Sequence, residues 1–418
     1  MVPSMSAANE PVPAESEAPK APCRGSSTIW KAKPAHEAGS EESGRLLSLQ
    51  ALRAVAATLI VFLHAEEVVR LYAEAHGKAF SPPKILPLGV GVDLFFVISG
   101  FVIVFASRKL FASAGGWREF MRRRLIRIVP LYWSALTLRL IVLAAGAAIG
   151  AKSFPDSLAI VTSYLFIPYD SLGFGPDFPF PLLDLGWTLN FEMFFYVLFA
   201  CFIALPRERA VALVVACLVV SVVLASIFRP ETVAFRFWLR PITWEFAFGA
   251  LIAIAFMRGA VFSPATRILM ISAALLVWLV PVSWLGDTSA PGHYGWPRLC
   301  IWGSGAILIV AASVLGPISF RSAWSQAIAR LGDSSYALYL LHPFVFILFK
   351  MILAKITVPQ ALYWPLTLSA AALAIVAAVL FHDRIENPVV LQLRRITGSR
   401  DKSAVATAPK ELRDELVT

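Results

Sequence analysis

Residues 45–64 read RLLSLQALRAVAATLIVFLH. The stretch opens the first long apolar run, yet it carries Arg53 inside that run and His64 near its far end. Eleven positions at about 100° each end some 20° past three full turns, so the two residues share one face of a helix, about 16 Å apart along its axis. An Arg inside a membrane-spanning helix costs about 2.5–3.5 kcal/mol at mid-span. Either the Arg snorkels to the interface while the His packs, or this face carries chemistry. The other polar residues of the chain bear on that choice.

With 58% hydrophobic and 15% charged residues and a mean hydropathy of +0.71, the chain is no soluble globular domain. Apolar runs near the length that crosses a bilayer core fall at 47–69, 88–107, 129–150, 186–206, 208–228, 241–257, 266–284, 297–315, 334–356 and 361–382. The fold class is therefore an all-α integral membrane protein with about ten transmembrane helices. A weaker segment at 157–168 is too short and too Pro-bounded to span; it is re-entrant or interfacial.

The charges between the spans orient them. RKLFASAGGWREFMRRRLIR, after the second span, holds seven Lys or Arg against one Glu and belongs in the cytoplasm. The 151–185 loop carries Lys152 against Asp156, Asp170, Asp177 and Asp184, and belongs outside. The 229–240 loop, with Arg229, Arg236 and Arg240, is an exception on the outer side. Alternation places both termini in the cytoplasm and the protein, multi-pass, in the cell's inner (plasma) membrane. The net charge of +10 is thus mostly topogenic. No basic face with interleaved aromatics stands free of the membrane segments, which argues against a nucleic-acid partner.

Three regions follow. Residues 1–44, rich in Pro, Ala, Ser and Glu, form a disordered cytoplasmic N-terminal tail with no secretory signal. Residues 45–388 are the membrane domain, and 389–418 a charged cytoplasmic C-terminal tail holding at most a short helix. Cys23 lies in the tail and Cys201, Cys217 and Cys300 in apolar spans. No metal-type spacing or outer-loop disulfide pair is present, so no metal is expected.

Ionisable residues inside spans are functional-site candidates. His64, Asp93 in span two and Glu192 in span four each lie about five or six residues from the outer end of their helices. They are either separate interhelical hydrogen-bonding groups or one proton-handling site, with neutral His64 as base and Asp93 or Glu192 orienting it. Ser99 and Gly100 sit deeper; the serine is a conceivable nucleophile without an elbow motif, and the small pair also suits close helix packing. Arg139 and Glu245 are further charges that line the same cavity or pair for structure. Arg124 and Arg127, three apart, present forked donors on one face for a polyphosphate, or simply anchor the positive side. In span nine, GDSSYALYLLHPF, Ser334 is a candidate cap, Pro343 a kink, and His342 a structural hydrogen-bond donor. Arg384 and Glu386 read as an interfacial ion pair.

Taken in order, these pieces resemble the acyltransferase 3 family of integral membrane acyltransferases. The marks are Arg-x10-His (Arg53, His64), GVDLFFVISGF (Asp93, Ser99, Gly100), RRRLIRIVPLYW (Arg124, Arg127) and WTLNFEMFFY (Trp187, Glu192). The Glu245–Gly249 stretch, GDSSYALYLLHPF (Tyr336, His342) and Glu386–Pro388 complete the set. The likeness covers about 45–390; the long N-terminal tail departs from it, and the hydrolase-like domain some members carry after the last span is not expected.

The resemblance implies transfer of an acyl group, often acetyl, from cytoplasmic acyl-CoA as co-substrate to a hydroxyl of a cell-surface or exported carbohydrate, with no bound cofactor. The Arg cluster would hold the donor's phosphates, and the Arg53–His64 distance suits an extended pantetheine arm. Catalytic residues are then His64, Asp93 and Glu192, donor ligands Arg53, Arg124 and Arg127, with Ser99, Gly100, Trp187, Arg139, Glu245, Tyr336 and His342 lining the site. A multi-span transporter or flippase is the alternative, though paired broken helices in two repeated halves are not evident. The charge pattern predicts that a cysteine placed in the 151–185 loop reacts with an impermeant thiol reagent in intact cells; labelling only after lysis overturns the orientation.

Overall fold

The computed structural model describes residues 35–83, 85–150, 153–175, 179–280, 295–316 and 323–398. Its helices are α1 (Ala35–Ala75), α2 (Val90–Ala106), α3 (Gly116–Ala148), α4 (Ser157–Tyr164), α5 (Trp187–Phe202), α6 (Arg207–Phe228), α7 (Val233–Trp238), α8 (Trp244–Met257), α9 (Pro264–Trp278), α10 (Trp296–Arg298), α11 (Ser304–Val314), α12 (Ala323–Asp333), α13 (Ser335–Leu353), α14 (Tyr363–Phe381) and α15 (Asn387–Ile396). Helix α10 runs through a π-helical turn into α11, and α14 through another into α15. Among the described residues, seven helical segments are long and apolar enough to cross a membrane, and three shorter apolar ones accompany them: Val90–Ala106, Pro241–Met257 and Pro264–Trp278. All ten apolar runs read from the sequence coincide with these. The protein is an all-helical, multi-pass membrane protein.

Some boundaries move. Most of the expected disordered tail lies outside the described residues, but helix α1 already begins at Ala35, in a Glu-bearing segment suited to a helix N-terminus. The basic stretch after the second span is also largely helix, forming the first turns of α3. Arg122 and Arg123 there both bond Glu119, three and four residues back, a spacing that supports a helix. The weak segment becomes the eight-residue α4, capped by Asp156 accepting from the Ala159 N–H at 2.7 Å. At about 12 Å long it cannot span. The C-terminal helix is present as α15, and the tail beyond 398 lies outside the described residues.

Helix α1 is the central element, packing on α2, α11, α12, α13 and α14; α2 packs on α8, α3 on α5 and α13, and α6 on α5 and α8. The closest approach is between α2 and α8. A Cβ on Gly100 would stand 2.1 Å from the Phe246 carbonyl oxygen, and one on Gly249 would stand 2.0 Å from that of Val97. Such small residues let membrane helices touch backbone to backbone. Large apolar side chains such as Leu213, Val220, Leu224, Leu368 and Leu380 stay exposed on the rim, where lipid covers them.

Two local expectations are corrected. Ser334 does not cap α13; it is fully buried and donates to the Leu331 carbonyl instead. Arg384 and Glu386 do not pair, since positions two apart on a helix point in different directions. Glu386 takes His382 at 2.7 Å, while Asp383 takes Arg330 at 2.6 Å. Gly100→Ala is expected to lower the melting temperature in detergent, at an overpacking cost of about 1–3 kcal/mol. Gly146→Ala, with nothing within 4 Å of the added carbon, is the control that leaves it unchanged or raised.

Candidate active site

Five helices enclose a cavity of about 790 Å³ including its open mouth. Arg53 enters from α1, Ser99 from α2, Arg124 and Arg127 from α3, Thr188, Glu192 and Tyr196 from α5, and Ser335, Tyr336 and Tyr339 from α13. Arg53 donates to the Ser335 hydroxyl at 2.8 Å and to Gln50 at 3.3 Å. Gln50 also donates to Asp333, whose carboxyl burial pushes above the ordinary range while Arg53 opposes that shift. Ser99 and Tyr196 both donate to Glu192 Oε1, at 3.0 and 2.9 Å.

The four arginines of RRRLIR, residues 122–127, divide. Arg122 and Arg123 are spent on Glu119, and Arg122 also on the Thr397 carbonyl. Arg124 and Arg127 line the cavity, and neither makes an ion pair among the described residues. Arg124 is buried, its guanidinium over the rings of Phe120 and Tyr196 at 5.5 and 5.7 Å. Three guanidinium groups thus converge on one chamber in whose described lining Glu192 is the one carboxylate. That is the chemistry of an anion site.

A second cavity lies farther along the same seam, with about 730 Å³ including its mouth. His64, Glu67, Arg139, Asp184, His342 and Lys350 supply its polar lining, again from α1, α3, α13 and the turn into α5. The two chambers follow from periodicity. On α1, Arg53 and His64 share a face eleven residues apart, and on α13 the steps 335, 339, 342, 346, 350 keep one stripe. Tyr339, buried in the lining of the first chamber, donates its hydroxyl at 2.7 Å to the carbonyl of Leu185, which lines the second, and takes Thr188 at 2.9 Å. Arg139 donates to the Leu182 carbonyl at 3.3 Å.

Asp93 lies in neither chamber. It is fully buried and receives Arg298 through two bonds, Nε to Oδ1 at 3.0 Å and a second nitrogen to Oδ2 at 2.8 Å. Glu245, also fully buried, sits beside it, with neither carboxyl oxygen hydrogen-bonded by geometry among the described residues. The equal counts from the helix ends at His64, Asp93 and Glu192 therefore do not bring them together: His64 lies in the second chamber, Glu192 in the first and Asp93 in neither. Asp93 and Ser99, six positions apart, differ by about 120° around α2; Ser99 meets Glu192, so Asp93 faces away. Asp93 and Glu192 are not placed to orient His64 in this structure. Trp187 packs in T-shaped contacts with Phe96 and Phe191 and lines neither chamber, and Gly100 serves the α2–α8 contact. Tyr336 and Ser99 line the first chamber, and Arg139 and His342 the second.

Several residues escaped the sequence reading. Tyr196, Thr188, Tyr339 and Ser335 are uncharged, and nothing in a span's hydropathy marks them. Arg298 stands at the start of the eighth span, where an Arg passes for an interfacial anchor.

The acyltransferase-domain family model matches residues 46–383. The chain belongs to that family. It is 30% identical to the exopolysaccharide production protein ExoZ of Rhizobium meliloti (strain 1021) over 318 residues, 74% of this chain and 92% of that one. It is 28% identical to the acyltransferase MdmB of Streptomyces mycarofaciens over 404 residues, 89% and 97% of the two chains. No solved structure matches it. The protein is a membrane acyltransferase, transferring groups other than amino-acyl groups. Its two chambers lie wholly within the matched residues.

In this enzyme Arg298 is the charged partner of the buried Asp93, so Arg298→Met leaves negative charge buried and unpaired. That variant should lose on the order of 3–5 kcal/mol of stability, read as lower membrane abundance and melting temperature. Arg298→Met with Asp93→Asn should recover part of the loss.

Proposed function

We propose that the enzyme moves an acyl group, acetyl in the simplest case, from acyl-CoA to a hydroxyl of a cell-surface or exported carbohydrate. The observation that carries this reading is an arginine chamber and a histidine chamber along one α1–α13 seam, linked by Tyr339 of the first, which donates to the carbonyl of Leu185 in the lining of the second. The positive end, at Arg124 and Arg127, faces the cytoplasm, and the end bearing Asp184 faces outward. Both termini are then cytoplasmic and residues 45–388 are the working unit, in the inner membrane. ExoZ, by its name, acts in exopolysaccharide production, which favours a polysaccharide acceptor here.

Arg53, Arg124 and Arg127 hold the donor's phosphates through forked, charge-assisted bonds. The pantetheine arm extends along the seam toward the outer chamber, about 16 Å from Arg53 to His64 by helix rise. There His64 takes the proton of the acceptor hydroxyl as its oxygen attacks the thioester carbon. The C–S bond breaks, and His64 returns the proton to the departing CoA thiolate. Glu67 and Asp184 offer carboxylates to the acceptor's other hydroxyls.

Transfer of labelled acetyl from acetyl-CoA into the polysaccharide fraction of membrane vesicles separates these roles. His64→Ala should lower kcat by about 10²–10⁴ with donor binding intact. Changing Arg124 and Arg127 to Lys keeps the charge but loses the fork, so donor KM should rise while membrane insertion stays normal. Near-wild-type kcat in His64→Ala removes His64 as the base, and unchanged donor KM removes the arginines as donor ligands.

A further inference from the structure

A general base in acyl transfer works best when a second group holds its imidazole in place. The two carboxylates expected to hold His64 are committed elsewhere, Asp93 to Arg298 and Glu192 to Ser99 and Tyr196. The group next to His64 is another imidazole. The rings of His64 and His342 lie with centroids 5.2 Å apart and 27° between their planes.

Helix α13 fixes the tautomer of His342. Its Nδ1 lies 2.9 Å from the Leu338 carbonyl oxygen, an acceptor only, so Nδ1 carries the proton. Pro343 has no N–H to offer the Tyr339 carbonyl, and that oxygen also lies within reach of the His342 ring. The lone pair is therefore on Nε2, which is buried and has no hydrogen-bond partner among the described residues. A buried polar atom left unmet costs on the order of 1–3 kcal/mol. Phe346 and Tyr339 pack edge-on against the same ring, an environment in which a Phe would pack without that penalty.

The rings lie stacked, and an in-line bond between them forms once His64 turns its edge toward His342. Each imidazole nitrogen sits roughly 1.1 Å from its centroid, so an N–H···N bond of about 2.9 Å sets the centroids about 5 Å apart. His64 is half-buried and borders the open chamber, so it has room to turn about its Cβ–Cγ bond, whereas His342 is held by its backbone partners.

We infer that His342 is the positioning residue for His64: its Nε2 lone pair accepts the His64 ring N–H, leaving the other His64 nitrogen free to take the acceptor's proton. His342 stands where many acyl-transfer enzymes have a carboxylate. This rests on the reading of His64 as the base.

The acetyl-transfer assay in vesicles tests it with three variants. His342→Phe keeps the ring packing and lacks the lone pair; kcat should fall 10- to 100-fold, the scale for losing an orienting partner, with donor KM and membrane abundance unchanged. His342→Gln and His342→Met are similar in length, and the Gln carbonyl oxygen reaches the Nε2 position; Gln should stay within about tenfold of wild type while Met falls with Phe. This pair also serves if the Phe variant does not accumulate. In the double variant His64→Ala, His342→Phe, no loss beyond that of His64→Ala is expected, because His342 acts only through His64. Wild-type kcat in both the Phe and Met variants overturns the inference, as does Gln falling as far as Met, or a further loss in the double variant. If His64→Ala itself transfers normally, the base assignment fails and this inference with it. If His64→Ala is inactive while the Phe and Met variants work normally, only the role of His342 falls.

Discussion

Inside a bilayer-spanning bundle a charged or hydrogen-bonding group must find its partner within the protein. That constraint sorts the polar residues of this acyltransferase. Asp93 is met by two bonds from Arg298, and Glu119 absorbs Arg122 and Arg123. Glu192 accepts from Ser99 and Tyr196. Three guanidinium groups then face one carboxylate in the first chamber, and the surplus positive charge is what a polyanionic ligand would neutralise. The second chamber is lined by Arg139 and Lys350 with Asp184 and Glu67, and Glu67 takes Arg70 through both of its oxygens.

Aromatic side chains with polar tips do a parallel job at the helix joints. Tyr132 donates to the Ser163 carbonyl and Trp133 to that of Tyr164, tying α4 to α3. Tyr336 donates to the Ile128 carbonyl, tying α13 to α3. Tyr72 donates to the Ile356 carbonyl and accepts from the Val358 N–H, holding the turn between α13 and α14 on α1. Tyr339 belongs to this group through Leu185, and differs in where it stands, between the chambers. An apolar body with one hydrogen-bonding tip is the side chain that closes a backbone carbonyl without bringing charge into the bundle.

The ten apolar runs could be read from hydropathy alone because crossing a bilayer demands length and composition that few other structures share. The seam was legible in the same way, since the eleven-residue spacing of Arg53 and His64 puts them on one face whatever surrounds them. Gly100 could be read only as a small residue; that its neighbour is the Phe246 carbonyl depends on how α8 lies. The basic run after the second span looks like a loop to a hydropathy reading, while Arg122 and Arg123 meeting Glu119 three and four positions back support a helix there.

Sequence determined the axial coordinate of each polar residue, how far along its helix it sits, because rise per residue is a local property of the backbone. Only the tertiary structure decided the azimuth between helices and the height at which each helix is set against its neighbours. His64 and Glu192, counted at similar distances from their helix ends, lie in different chambers along the seam, His64 with Asp184 and Glu192 with Arg53. Asp93 went to Arg298, more than two hundred positions away, and Glu192 to the arginine chamber. His64 was left beside His342, because α1 and α13 pack with those faces opposed. Such pairings are set by the packing of whole helix surfaces, which no stretch of sequence carries by itself.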